Sequence, residues 1–122
     1  MKQAGAIIRV STARQLDGTS PDKQLEAILD LSNKHGFEIS PNHIWQTAES
    51  GSLKGEAREG FQSALAASKA SAIERVYVFS LDRLGRDLLE MLMFLRDLKD
   101  CGVECWAADQ RQQMHHDDLV VM

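Results

Sequence analysis

Along this chain, short apolar runs alternate with longer amphipathic stretches. Ala4-Gly5-Ala6-Ile7-Ile8 is a compact apolar run of the kind that forms a buried strand, continued by Arg9-Val10-Ser11. Ser20, Pro21 and Asp22 then suit an N-cap, a first helical position and the positive end of a helix dipole. Leu25, Ile28, Leu29 and Ser32 keep helical spacing until Gly36 ends it. Phe37 to Gln46 is ambiguous. Pro41 excludes a central strand and leaves His43-Ile44-Trp45-Gln46 as a short one. Thr47 to Glu59 reads as a polar, glycine-punctuated loop. A helix is expected over residues 59–71, with Phe61, Leu65 and Ala66 towards the core.

The second half repeats the alternation. Ile73 to Ser80 is rich in β-branched and aromatic residues and predicts a strand. The longest helix follows over residues 86–101 and stops at Gly102; its apolar residues exceed one narrow stripe, so part of it is available to another subunit. Val103 to Ala108 predicts a further strand. From Asp109 the chain is polar, then briefly apolar at Leu119 to Val121. The predicted fold is α/β: a doubly wound, mostly parallel sheet of four to five strands with helices on both faces. Residues 1–109 form the domain, and 110–122 a polar tail or the start of a further helix.

Composition narrows the function classes. A chain of 122 residues with 43% apolar and 26% charged positions fits one globular domain. No apolar run approaches the ~20 residues that span a bilayer, and the apolar start is too short for a signal peptide. The expected location is cytoplasmic. Cys101 and Cys105 read as reduced thiols, with no second pair to complete a zinc site. His115-His116-Asp117-Asp118 reads as a solvated tail, with metal binding the alternative. The net charge of −4 argues against a domain that holds DNA through a broad basic face. Any nucleic-acid chemistry here must use a few locally placed arginines or affinity supplied by another module.

Two clusters carry candidate chemistry. Arg9 and Ser11 lie two apart near the end of the first strand, where side chains share a face. A guanidinium beside a hydroxyl at the carboxyl end of a buried strand suits a nucleophile facing a phosphate or carboxylate. The plainer alternative has Ser11 capping the next segment and Arg9 meeting a surface acid. The second cluster is Asp82, Arg83 and Arg86 at the start of the long helix. Cations are unfavourable at that end of the dipole unless an anion offsets them, and an anion site would require them there. In the alternative, both arginines point into water and Asp82 is the N-cap.

Together the clusters describe phosphoryl transfer: Ser11 as nucleophile, with Arg9, Arg83 and Arg86 around the non-bridging oxygens. Asp82 would orient an arginine or take part in proton transfer. No histidine stands in a motif suited to a Ser-His-Asp triad. The Gly-Lys-Ser/Thr ending of a P-loop is absent, as is the acidic pair a receiver-like domain needs near its first strand's end.

At these residues the chain resembles the serine site-specific recombinases, comprising resolvases, invertases and large serine integrases. Arg9-Val10-Ser11-Thr12 with Gln15 looks like the family's nucleophile motif. Ser50-Gly51 followed by Arg58-Glu59-Gly60-Phe61 looks like its mobile loop and arginine, and Ser80-Leu81-Asp82-Arg83-Leu84-Gly85-Arg86-Asp87 is similar to its second signature. Gln24 falls where the family usually has a glutamine. The resemblance spans about residues 4 to 109. It implies attack of Ser11 on a DNA phosphodiester, a 5′-phosphoseryl intermediate, strand exchange and religation without ATP, cofactor or metal. Arg9, Arg83 and Arg86 would hold the phosphate, Asp82 would assist, and Gln15, Gln24 and Arg58 would support. The implied partners are double-stranded recombination sites and further copies of the chain, as dimer and tetramer in the full-length protein.

The chain departs from the family at Ile7, where an aromatic residue is usual, and at Thr47, where an acidic one is usual. It also ends where the family has a long dimerisation helix followed by a DNA-binding domain. On this reading it is the catalytic domain of a larger recombinase, or a truncated relative, expected to bind DNA weakly and to be inactive or nearly so alone. A non-enzymatic module that binds phosphate or a partner, or regulates a recombinase, is the alternative.

Overall fold

The structure is a computed structural model that describes residues 2–10, 20–48, 54–79 and 88–114. The elements are β1 (Lys2–Val10), α1 (Pro21–Lys34), β2 (Phe37–Ala48), α2 (Lys54–Lys69), β3 (Arg75–Val78), α3 (Leu88–Asp100), β4 (Glu104–Ala107) and β5 (Gln112–Met114). They build one five-stranded sheet in the order β2-β1-β3-β4-β5. The first three pairings are parallel and only β4–β5 is antiparallel. The mostly parallel α/β fold read from the alternating pattern is the observed one.

The central strands are apolar on both sides because both sides are covered. Val76, Tyr77 and Val78 of β3 are fully buried, as are Ala4 and Ala6 of β1. On one face Ile7, Val76, Val78, Cys105 and Ala107 pack with Phe61 and Ala64 of α2 and Phe94, Leu95 and Leu98 of α3. The Phe61 and Phe94 rings meet at 4.7 Å between centroids, which joins the two helices. On the other face Ala4, Ala6, Phe37 and Tyr77 pack with Ile28 and Leu31 of α1. Burying a side chain of Ile or Leu size contributes roughly 1.5–3 kcal/mol, so these two layers dominate stability.

Helix α1 begins and ends as its sequence dictates. The Ser20 hydroxyl accepts the Lys23 N–H at 3.2 Å, Pro21 opens the first turn, and Gly36 at φ +80° stops the chain after the His35 C-cap. Its buried stripe is Gln24, Ile28, Leu31 and Ser32, with Leu25 and Leu29 half-buried at the flank.

Three elements differ from expectation. β2 runs the full length from Phe37 to Ala48, and Pro41 is accommodated because β2 is an edge strand. Between the Ala4–Ile39 and Ala6–Ile44 pairs, β1 advances two residues and β2 five, so the proline sits in an irregularity. Helix α2 starts at Lys54 rather than near Glu59. Its first turns are polar but built of helix-favouring Lys, Glu, Ala and Arg, so apolar spacing begins only at Phe61. Ala66 is exposed, and Ala64 and Ser68 take the inward positions instead. Finally, Gln112–Met114 of the polar stretch pairs with β4 as an edge strand.

Candidate catalytic edge

The strand order places a topological switch point at β1. From β1 the chain proceeds to β2 on one side, and from the adjacent β3 to β4 on the other, so the connections leave the carboxyl ends of β1 and β3 in opposite directions. Between such ends an open α/β sheet leaves a crevice for a ligand. Arg9 is the penultimate residue of β1, at this edge, in register with Thr47 of β2. Ser11 follows Val10 directly in the chain.

The helices start from the same edge. Because β1 and β2 are parallel, α1 runs back between them, and its first turns lie towards the carboxyl end of β1. Gln24 is there, only 5% exposed, an unusual burial for an amide side chain on a helix. Arg58 lies early in α2, which leaves the carboxyl end of β2. Past β3 the pairing with the β4 strand continues through Ala108 N–H to Val78 O and Asp109 N–H to Phe79 O, both 2.8 Å. The sequence after Phe79 leads directly to Asp82, Arg83 and Arg86.

The structure therefore brings Arg9, Gln24 and Arg58 to one edge of the sheet. Ser11, Gln15, Asp82, Arg83 and Arg86 lie outside the described residues, as do Gly51 and the His115–His116 pair. Among the described residues no group of three His, Cys, Asp or Glu side chains is placed to hold a metal ion. Cys105 is not a nucleophile: burial pushes its thiol up to about 12.

A second polar cluster, not foreseen from sequence, occupies the opposite, amino-terminal edge. Arg75 donates through Nη1 to the Tyr77 hydroxyl at 3.2 Å and to His35 Nδ1 at 3.0 Å, and through Nη2 to Glu104 Oε1 at 3.1 Å. The guanidinium lies between the rings of Phe37 (4.3 Å) and Trp106 (4.9 Å). Trp106 Nε1 donates to the same Glu104 oxygen at 2.9 Å. The alternation Arg75-Val76-Tyr77 and Glu104-Cys105-Trp106 puts each polar–aromatic pair on one face, a signal present in the sequence. Burial and then the Arg75 charge hold His35 below its ordinary range, against the pull of Glu104. Burial raises the Tyr77 phenol, with the Arg75 hydrogen bond opposing. This cluster fastens the fold and is remote from the strand ends that form the crevice.

Comparison with known proteins decides the family. The model of the resolvase N-terminal domain matches residues 4–121. The chain belongs to that family. Its fold is similar to the N-terminal catalytic domain of TP901-1 integrase, with a TM-score of 0.78 and 21% identity over 98% of this chain and 90% of that one. It is also similar to a resolvase-family site-specific recombinase from Streptococcus pneumoniae, with a TM-score of 0.68 and 22% identity over 93% and 76% of the two chains. The C-terminal catalytic domain of ISC1926 TnpA, an IS607-like serine recombinase, gives a TM-score of 0.67 and 17% identity over 87% and 70%. No curated protein matches. No helix among the described residues of this resolvase domain is long and apolar enough to cross a membrane.

Proposed function

We propose that this resolvase domain is the catalytic part of a serine recombinase acting on double-stranded DNA. The Ser11 hydroxyl oxygen attacks a backbone phosphorus, the bond to the 3′ oxygen breaks, and the serine proton ends on that oxygen. The products are a 5′-phosphoseryl linkage and a free 3′-hydroxyl. Because one phosphoester replaces another, reversal on an exchanged end religates the strand without ATP. Arg9, Arg83 and Arg86 stabilise the charge on the non-bridging oxygens, with Asp82 assisting and Gln15, Gln24 and Arg58 supporting. Exchange between two sites requires further copies of the chain.

The observation that carries this reading is the position of Arg9 at the β1–β3 switch point, one residue from the end of the strand that leads into Ser11. An arginine at the carboxyl end of a strand beside such a switch point suits an anion bound in the crevice. Net charge −4 fits a domain whose affinity for DNA is supplied by another module.

The test is incubation of the full-length protein with DNA carrying a nick that traps the intermediate, followed by denaturing electrophoresis. A covalent protein–DNA adduct that disappears in Ser11→Ala is expected. An adduct that persists in Ser11→Ala removes the mechanism. Tight binding of inorganic phosphate with no adduct on any DNA favours a non-enzymatic phosphate-binding module instead.

A further inference from the structure

We propose that His35 is the pin of a proton-released latch fastening the carboxyl end of α1 to the amino-terminal edge of the sheet. Its position is set by the Gly36 turn, which makes His35 the C-cap residue and brings its ring against β3 and β4. The Nδ1 atom lies 3.0 Å from Arg75 Nη1 and 2.8 Å from the Tyr77 hydroxyl.

An arginine nitrogen can only donate, so Nδ1 must accept. The imidazole is therefore neutral with its proton on Nε2, and the Tyr77 hydroxyl donates to Nδ1 while accepting from Arg75. Protonating Nδ1 would place a second cation 3.0 Å from the guanidinium and leave the buried Tyr77 O–H without its acceptor. Both consequences oppose keeping the ring where it is.

The charges around the ring set the sign. Arg75 and Tyr77 face it from β3, and Glu104 and Trp106 from β4, with Trp106 in edge contact at 4.6 Å. On α1 itself Lys34 is the neighbour, paired with Asp30 at 3.4 Å. Glu104 is the opposing charge, but one of its oxygens already takes both Arg75 and Trp106. The direction is consistent with burial and Arg75 lowering the His35 pKa. A lowered folded value means the unfolded chain binds the proton first. The stabilisation is thus complete above about pH 6.5 and is lost as pH falls below it.

The latch bears on the other end of the same helix. α1 has 14 residues, roughly 21 Å at 1.5 Å per residue, and Gln24 sits buried in its first turns. Releasing the His35 end loosens the carboxyl-terminal fastening of the helix that holds Gln24 at the carboxyl edge, leaving Ile28 and Leu31 to hold the helix on the sheet.

Three measurements test this on the full chain. Nitrogen NMR of the imidazole at pH 7.5 should show the proton on Nε2; a proton on Nδ1 overturns the proposal. Urea unfolding between pH 7.5 and 5.5 should show a loss in the folded-to-unfolded ratio approaching tenfold per pH unit, the one-proton limit. His35→Gln, whose amide accepts without titrating, should lack that component, and equal slopes overturn the proposal. Hydrogen exchange corrected for intrinsic rates should quicken at residues 31–36 on acidification more than in β3. Uniform quickening across the sheet would refute a local latch even where stability falls.

Discussion

The indole of Trp45 lies over the backbone of Gly5, in the space a side chain at residue 5 would fill. A Cβ there would come within 2.5 Å of Trp45 Cζ3, 2.8 Å of Cη2 and 3.3 Å of the His43 carbonyl oxygen. The glycine lets the edge strand β2 fold its tryptophan inward against the α2–α3 face of the sheet. Gly5→Ala should therefore destabilise the domain by about 1–3 kcal/mol, read as a lower urea midpoint. Trp45→Leu in the same chain should recover part of the loss, a non-additivity that double-mutant unfolding measures.

Tyr77 offers an alkaline prediction because it is the single tyrosine of the chain. Burial raises its pKa in the folded state, so the unfolded chain loses the phenolic proton first, near pH 10. The associated stability is complete below that value and is lost as pH rises above it. The tyrosinate absorbance should appear at higher pH in the folded protein than in urea. Coincident titrations would place the hydroxyl outside the Arg75–His35 cluster.

The two thiols should react in sequence. Cys105 is fully buried with its thiol pushed up to about 12, whereas Cys101 at the end of α3 is partly exposed. An alkylating reagent at neutral pH should label Cys101 alone, as mass spectrometry of the intact protein would show. Cys105 should become labelled only in denaturant. Equal labelling of both under native conditions would contradict the packing of β4.

Arg9 should matter more to chemistry than to binding. On the proposed reading its guanidinium meets charge that develops on the phosphate during attack. Arg9→Ala should then lower the rate of adduct formation by about 10²–10³, with a much smaller change in DNA affinity. Matching losses in binding and rate would make Arg9 a general phosphate contact.

The amino-acid sequence by itself determined the alternation of strands and helices, the start and stop of α1, and the family. These signals are local: a serine cap beside a proline, a glycine where φ must be positive, apolar residues at fixed spacing, and short motifs in order. The candidate residues were legible for the same reason, since an arginine at the end of an apolar strand is conspicuous without coordinates. Only the tertiary structure decided the strand order, and with it the switch point that brings Arg9, Gln24 and Arg58 to one edge. It also decided that Pro41 belongs to a full-length edge strand and that Trp45 needs Gly5. The contacts of Arg75 with residues 35, 37, 77, 104 and 106 arise there as well. Those facts depend on register between segments far apart in the chain, and pairing across such distances is set by packing of the whole sheet rather than by neighbouring residues.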